Sequence, residues 1–203
     1  QRMIPEEALP DAAARADQAE RAVQALAQAG YETIGLDHFA LPEDSLSEAA
    51  RAGRLRRTFQ GYTTDAARCL LGLGATSIGR TPHGDVQNIT ETGAWARAVR
   101  DGRLPVAKGL PLSDDDRLRA DVIERIMCDG AVDPVAIGAS HGMGPDWCED
   151  EFARLEDLAR DGLVNRRGTT ISLTTEGLKL RRVVASVFDA YLGASEARHS
   201  VAV

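Results

Sequence analysis

The feature that most constrains the fold of this chain is a change in the spacing of its apolar residues. The spacing is typical of a helix before a single glycine and typical of a strand directly after it. Apolar residues recur at three- and four-residue steps over 11–27, which predicts an amphipathic helix. Gly30 stands where such a helix ends. The next segment, 31–36, alternates like a strand. Helix followed at once by strand is the αβ half of a β/α repeat, so the sequence predicts an α/β fold.

Two polar residues follow that predicted strand. Asp37 and His38 fall where it should end, and ligands in barrels and open α/β sheets sit beyond the carboxyl ends of strands. The pair could be an acid–base pair or part of a metal site, whereas a lone histidine after a strand is more often a structural hydrogen-bonding residue. His83, His141 and His199 lie in unrelated contexts, so the sequence predicts no histidine-rich metal site.

The second half of the chain has a different pattern, from Pro111 onward. Ser113 followed by three aspartates predicts a helix start, because a hydroxyl caps the first turn and carboxylates face the helix dipole. The order helix, helix, hairpin, helix is winged-helix-like. Its predicted elements are a helix from Ser113, a helix over 146–160, a hairpin of 163–167 with 170–173, and a last helix from Thr174 to about Tyr191.

Charge argues against a nucleic-acid partner. The 203 residues carry a formal net charge of −7, whereas a general nucleic-acid binder needs a cationic surface. Arg166 and Arg167 lie at the predicted hairpin tip, where a wing would contact phosphate. The helix before them is strongly acidic, however, and it is the helix that a DNA reader would insert. We therefore expect no DNA binding.

A basic cluster precedes a polar segment that the sequence predicts to be a loop, 58–64. Arg54, Arg56 and Arg57 stand next to an aromatic residue and an amide, a combination that suits an aromatic ligand bearing carboxylates. The alternative is a solvated helix end, where cations are favourable in any case. From the residues alone, the solvated helix end is the better interpretation.

The glycine-rich run 72–79 allows two interpretations. Glycines let a ligand approach the backbone, and they also permit tight packing of strands; the spacing alone favours neither. As a dinucleotide-binding fingerprint the run is weak, because Ser77 replaces the third glycine.

The remaining residue types exclude several classes of site. Cys69, Cys128 and Cys148 form no C-x-x-C pair, so we expect buried thiols in a reducing cytosol rather than a metal site. No apolar run reaches the ~20 residues that span a bilayer, and no signal peptide is apparent, so we expect a cytoplasmic protein without membrane contact. The sequence offers no nucleophile with a base beside it, hence no catalytic residue and no metal ligand.

Several segments together resemble one known family. The most specific is Phe59-Gln60-Gly61-Tyr62-Thr63-Thr64, and the others are 30–31, 34–40, 70–79, 87–88, 119–123 and 161–164. The chain is similar, over essentially its whole length, to the C-terminal part of the oxygen-independent coproporphyrinogen III oxidases, which are radical S-adenosylmethionine enzymes.

The resemblance implies an activity and its cofactors. Enzymes of this family convert two propionates of coproporphyrinogen III to vinyl groups in haem biosynthesis, using S-adenosylmethionine and a [4Fe–4S] cluster. The family's C-x3-C-x2-C cluster motif is absent here, so the resemblance implies a fragment that is inactive alone and cannot bind the cluster. By match to the family, Phe59, Gln60 and Ile78 correspond to residues that contact a second S-adenosylmethionine.

The resemblance also implies a domain organisation. Residues 1–110 are expected to be the C-terminal elements of an incomplete radical-SAM (β/α) barrel, and 111–203 a mainly helical, winged-helix-like domain. The full-length enzyme is expected to be a monomer that acts on a small molecule. The alternative is a stand-alone binding or regulatory module that uses the winged-helix-like tail.

Overall fold

The computed structural model describes Pro5 and residues 8–192, which form a mixed α/β structure with two compact units. One unit comprises the described residues up to Thr64 together with those from Asp121 onward. The other comprises Asp65–Ala120. The predicted mixture of helices and strands is therefore confirmed, while the units follow other boundaries than the predicted domains 1–110 and 111–203. Residues 193–203 of the second predicted domain lie outside the described residues.

The first unit opens with the predicted helix but does not continue as a β/α repeat. Helix α1, Ala12–Gln28, begins at Asp11, whose carboxylate accepts from the Ala14 amide at 2.8 Å. Strand β1 is only Glu32–Thr33, and it pairs antiparallel with β2, Phe39–Ala40. The chain turns back after Ile34, so the strand predicted over 31–36 is too long and β1 lacks the parallel partner of a β/α repeat. All strand pairs among the described residues are antiparallel.

A short helix and a hairpin complete the first part of this unit. Helix α2, Ser45–Arg51, leads to β3, Arg56–Thr58, and β4, Gly61–Thr63. The two strands pair antiparallel, so the loop predicted over 58–64 is wrong: the segment is a tight β-hairpin. These elements enclose a small core that consists of Ile34, Ala40, Ala49, Leu55, Tyr62 and Cys128.

The second unit is built on a three-stranded antiparallel sheet with the order β5-β6-β7. Its strands are Ile78–Thr81, Gly84–Asn88 and Val106–Pro111. Helix α3, Thr92–Arg100, connects β6 to β7. Helix α4, Asp114–Asp129, begins in this unit with the predicted Ser113 cap and ends in the first unit.

The elements after α4 belong to the first unit. They are β8 (Ala131–Val132), α5 (Pro134–Ser140), a 3₁₀ turn (Pro145–Cys148), α6 (Glu149–Arg160), β9 (Val164–Arg167) and β10 (Thr170–Leu173). The predicted hairpin is confirmed, with β8 added in the order β8-β10-β9. The sequence did not predict α5. Phe152, Leu155, Ile171 and Phe188 are among the buried apolar residues of this part.

The last predicted helix is interrupted. It forms α7, Thr175–Lys179, and α8, Arg181–Ala185, followed by a 3₁₀ turn over Ser186–Phe188. Leu180, with φ −106° and ψ 26°, leaves the helical conformation between them. None of the helices described is long and apolar enough to cross a membrane.

Candidate functional site

Phe59 and Gln60 form the two-residue turn of the β3–β4 hairpin. Thr58 and Gly61 face each other as the last pair of the ladder, so only these two residues connect the strands. The Thr58 hydroxyl accepts a hydrogen bond from the backbone amide of Gln60 at 3.2 Å and donates one to the side-chain oxygen Oε1 of the same residue at 3.1 Å. These two bonds close the turn. Phe59 is 75% exposed. The turn therefore presents an aromatic face and a side-chain amide to solvent.

Tyr62 fixes the hairpin to the rest of the unit. Its side chain is buried, and its hydroxyl donates to the Met127 carbonyl at 2.9 Å. The ring lies directly on Gly35, where a Cβ would come within 2.1 Å of Tyr62 Cζ. Only glycine fits at position 35, because any side chain would displace the aromatic ring.

The side chains of Asp37 and His38 form a pair beside the same hairpin. His38 Nδ1 lies 2.8 Å from Asp37 Oδ1, and the imidazole meets the Tyr62 ring edge to face, with centroids 5.1 Å apart. Among Pro5 and residues 8–192, no group of three or more His, Cys, Asp or Glu side chains could hold a metal ion. Of the alternatives left open by the sequence, the contacts favour a structural hydrogen-bonding histidine.

The basic cluster lies on strand β3 and its approach, not at a helix end, because α2 already ends at Arg51. Arg56 forms an ion pair of 3.1 Å with Glu124, whose other oxygen accepts from the Arg57 backbone amide at 2.9 Å. The Arg57 guanidinium lies over the Tyr62 ring, 5.4 Å from its centroid. The interpretation as a solvated helix end is therefore wrong: Arg56 and Arg57 join β3 to Glu124 and Tyr62.

Ile78, the third predicted contact residue, opens strand β5 in the second unit, directly opposite Gln87. The glycine run before it is folded against itself. A Cβ on Gly72 would lie 2.7 Å from Ser77 Cβ, and the Asn88 side-chain amide donates to the carbonyls of Gly72 and Gly74 at 3.1 and 2.9 Å. These contacts favour tight packing as the reason for the glycines. The run leads into a strand rather than a helix, unlike a dinucleotide-binding fingerprint.

The cysteines differ in their exposure. Cys128 and Cys148 are buried, as the sequence predicts. Cys69 is exposed, so the prediction of a buried thiol is wrong for this residue. Burial raises the pKa of the Cys128 thiol to about 11, and the nearby Glu124 carboxylate adds to the effect. Burial likewise raises the pKa of Cys148 to about 11, together with Glu151. Thiols of this kind are poor nucleophiles and poor metal ligands at neutral pH.

The structure thus brings Phe59 and Gln60 together in one turn, whereas Ile78 belongs to the other compact unit. The sequence pattern gave Gly35, Gly61 and Tyr62 no role of their own, although these residues support the turn. The sequence did contain a signal for this support: Gly35 and Gly61 stand beside strand residues, and Gly61 directly precedes the aromatic Tyr62. Their partners lie more than twenty residues away in the sequence, so local pattern could not identify them.

Comparison with known proteins gives a consistent result. The chain is 49% identical, over all 203 residues, to an oxygen-independent coproporphyrinogen III oxidase of Bradyrhizobium diazoefficiens, of which it covers 45%. It is 39% identical over 202 residues to the enzyme of that name from Cereibacter sphaeroides, of which it covers 44%. No protein-family model matches.

A solved structure agrees with these relatives. The coproporphyrinogen III oxidase of Escherichia coli, described as a radical SAM enzyme, superposes with a TM-score of 0.87 at 34% identity. The match covers 94% of this chain and 44% of that one. The resemblance inferred from the motifs is therefore confirmed, and the chain spans less than half the length of the relatives it matches.

Proposed function

We propose that this chain is the C-terminal part of an oxygen-independent coproporphyrinogen III oxidase, in which it supplies one wall of a cofactor pocket. The observation that carries the proposal is the 49% identity to such an enzyme over the whole chain. The proposed substrate is coproporphyrinogen III, and the reaction is the oxidative decarboxylation of two of its propionates to vinyl groups.

The residues of the β3–β4 turn fit S-adenosylmethionine. An exposed phenyl ring suits contact with an adenine or an alkyl group, and a side-chain amide can both donate and accept hydrogen bonds. Phe59 and Gln60 offer these two groups side by side. In the full-length enzyme, S-adenosylmethionine supplies the radical that starts the reaction on the propionate side chain.

The residues of this chain do not fit the [4Fe–4S] cluster. Such a cluster needs closely spaced cysteine thiolates. Here two of the three cysteines are buried, and the described residues contain no group of side chains suited to a metal. We therefore assign cluster binding to the rest of the full-length enzyme, and we expect this chain alone to be inactive.

Each contact residue has a separate role in the proposal. Phe59 covers an apolar face of the cofactor, and Gln60 hydrogen-bonds one of its polar edges. Ile78 stays a proposed contact residue by match to the family alone. For the full-length enzyme, the proposed division remains 1–110 as the C-terminal elements of a radical-SAM (β/α) barrel and 111–203 as a mainly helical, winged-helix-like domain. The parallel barrel strands are assigned to the rest of that enzyme, because the strand pairs described in this chain are all antiparallel. The full-length enzyme is proposed to be a cytoplasmic monomer that binds neither nucleic acid nor membrane.

The alternative, a stand-alone binding or regulatory module, receives less support from the contacts. Its key residue would be Arg166 at the hairpin. The Arg166 guanidinium instead lies 3.9 Å from the centroid of the Phe152 ring, and its Nε donates to the Gly168 carbonyl at 2.8 Å. An arginine held in this way already has partners within the fold. Tight, salt-sensitive DNA binding in a gel-shift assay at physiological salt would favour this alternative.

The decisive experiment uses the full-length protein, purified anaerobically with its cluster reconstituted. Gln60→Ala is expected to lower kcat/KM about tenfold or more, since the loss of one ordered contact of ~1.4 kcal/mol has that effect. The cluster absorbance should be unchanged. Gln24→Ala is the matched control, because Gln24 is an exposed glutamine on α1. A wild-type protein that forms the cluster but does not decarboxylate coproporphyrinogen III would overturn the proposal.

A further inference from the structure

The His38 imidazole lies beside the hairpin turn and is held on more than one side. Its Nδ1 is held by Asp37 at 2.8 Å, and its backbone carbonyl accepts from the Ile34 amide at 2.9 Å. Its ring packs edge to face against Tyr62. Side chain and backbone of His38 are thus both fixed by contacts with neighbouring residues of the same unit.

The other edge of the ring lies against Gly61, the residue after the turn. A Cβ on Gly61 would come within 2.6 Å of His38 Nε2 and 2.8 Å of Cε1, so the imidazole fills the space that a side chain at Gly61 would need. Gly61 also has φ +135°, a conformation that L-residues rarely adopt. Contact with the ring and unusual backbone geometry therefore coincide at one residue.

The position of Gly61 determines where the turn points. Gly61 pairs with Thr58 in the ladder, and Phe59 and Gln60 are the only residues between them. The next residue is Tyr62, whose ring packs against Gly35 and whose hydroxyl donates a hydrogen bond to the Met127 carbonyl. His38 thus packs on the Tyr62 ring and on Gly61, the residue that directly follows Gln60 in the chain.

We infer that His38 is a positioning residue: its imidazole, oriented by Asp37, holds Gly61 so that Phe59 and Gln60 face the cofactor. The inference rests on the proposed function for the identity of that cofactor. His38 itself is proposed to touch neither the cofactor nor the substrate and to transfer no proton.

The chain contains a matched control for this role. His141 and Asp121 form a second histidine–aspartate pair in the same unit, with Nε2 and Oδ2 2.8 Å apart. The two imidazoles are similarly exposed, at 32% for His38 and 24% for His141. Replacing either histidine removes the same chemical groups, but only His38 packs on Gly61.

The test measures two quantities in the full-length, cluster-loaded enzyme. The first is amide hydrogen exchange of the peptide that covers 56–64, with and without S-adenosylmethionine. The second is the KM for S-adenosylmethionine compared with kcat. His38→Ala is expected to accelerate exchange in the turn and to raise this KM about three- to tenfold, the effect of losing one ordered contact, with a smaller change in kcat. His141→Ala should leave both quantities unchanged.

A conservative variant separates packing from general destabilisation. His38→Phe keeps an aromatic ring against Gly61 and should restore most of the slow exchange and the low KM. If exchange and KM in His38→Ala equal those in His141→Ala, while the wild type is active, the inference is wrong and the proposed function stands. If the loaded wild type shows no turnover, the proposed function fails, and the cofactor part of the inference fails with it.

Discussion

Tyr62 and Arg181 donate hydrogen bonds to the same acceptor, the carbonyl oxygen of Met127, over 2.9 and 2.7 Å. Met127 lies in the last turn of α4, where carbonyl groups have no partner further along the helix. The shared acceptor therefore connects the hairpin that carries Phe59 and Gln60 to α4 and α8. A cation at this end of a helix is also favoured by the helix dipole.

The Tyr62 hydroxyl is expected to contribute measurably to stability. Tyr62→Phe removes the hydrogen bond that the hydroxyl donates to Met127 and the longer one, 3.4 Å, that it accepts from the Leu36 amide. It keeps the ring contacts with Gly35 and His38. The free energy of unfolding, measured by urea denaturation of the chain, should fall by about 1 kcal/mol, the usual net value of such a bond. Tyr31→Phe provides the control, because Tyr31 is partly exposed. Equal losses in both variants would contradict a specific role for the Tyr62 hydroxyl.

Arg181 and its neighbour Arg182 should differ strongly. Arg181 is 6% exposed and donates to the carbonyls of Met127 and Leu178, whereas Arg182 is exposed. Arg181→Ala removes both hydrogen bonds and the packing of a buried side chain, and it should lower the free energy of unfolding by about 1–3 kcal/mol. Arg182→Ala should change it by less than about 0.5 kcal/mol. Thermal or urea unfolding of both variants tests the difference, and similar losses would refute it.

A methyl group at Gly35 is expected to disturb the hairpin. Gly35→Ala would place its Cβ against the Tyr62 ring, which is itself fixed by the hydroxyl bond to Met127. The cost should be about 1–3 kcal/mol of unfolding free energy, as for other overpacked sites. Gly144→Ala is the control, since nothing lies within 4 Å of a Cβ there and its φ is −70°. An unchanged stability of Gly35→Ala would show that Tyr62 can move aside.

Features that depend on neighbours in sequence were predicted well. The start of α4 follows from Ser113 and the aspartates after it. In the structure the Asp116 amide donates to Ser113 Oγ at 3.1 Å, and Asp116 Oδ2 accepts from the Ser113 amide at 2.8 Å. Such a reciprocal cap involves four consecutive residues, so the sequence contains all of its information. The β9–β10 hairpin is local in the same way and was also predicted.

Features that depend on distant partners were not predicted. The sequence of β1 does not reveal that its partner is Phe39–Ala40 in an antiparallel pair. The helix breaks at Leu180, where the sequence has neither proline nor glycine to signal a break. The next residue, Arg181, begins α8, and its buried side chain donates to the distant Met127 carbonyl. In the candidate site, a motif identified Phe59 and Gln60 as candidate contact residues, whereas their tight turn and its support from His38 and Gly35 required the tertiary structure.

The three cysteines are expected to react very differently. Cys69 is exposed, whereas burial raises the pKa of Cys128 and Cys148 to about 11. At pH 8 only about one in a thousand of these two buried thiols is ionised, and access is blocked as well. Iodoacetamide on the folded chain should therefore modify Cys69 first, as judged by mass spectrometry of its peptides. The same treatment in denaturant should label all three, and early labelling of Cys148 in the folded chain would contradict its burial.

Glu91 makes the stability of helix α3 dependent on pH. Its carboxylate caps the helix by accepting from the Gly93 amide at 2.7 Å. Backbone hydrogen bonds from Gly93 and then Ala94 lower the pKa of Glu91 below 4.5, with a smaller contribution from Arg97.

Because the pKa of Glu91 is depressed in the folded state, the cap contributes fully at neutral pH and is lost as the pH falls from 4.5 through the lowered folded value. Glu91→Gln should therefore lower the urea midpoint at neutral pH, and the difference from wild type should be much smaller at an acidic pH well below 4.5. Glu156→Gln, which changes an exposed mid-helix glutamate of α6, should show no such dependence. A difference for Glu91→Gln that is the same at both pH values would mean that the charge of the carboxylate does not matter to the cap.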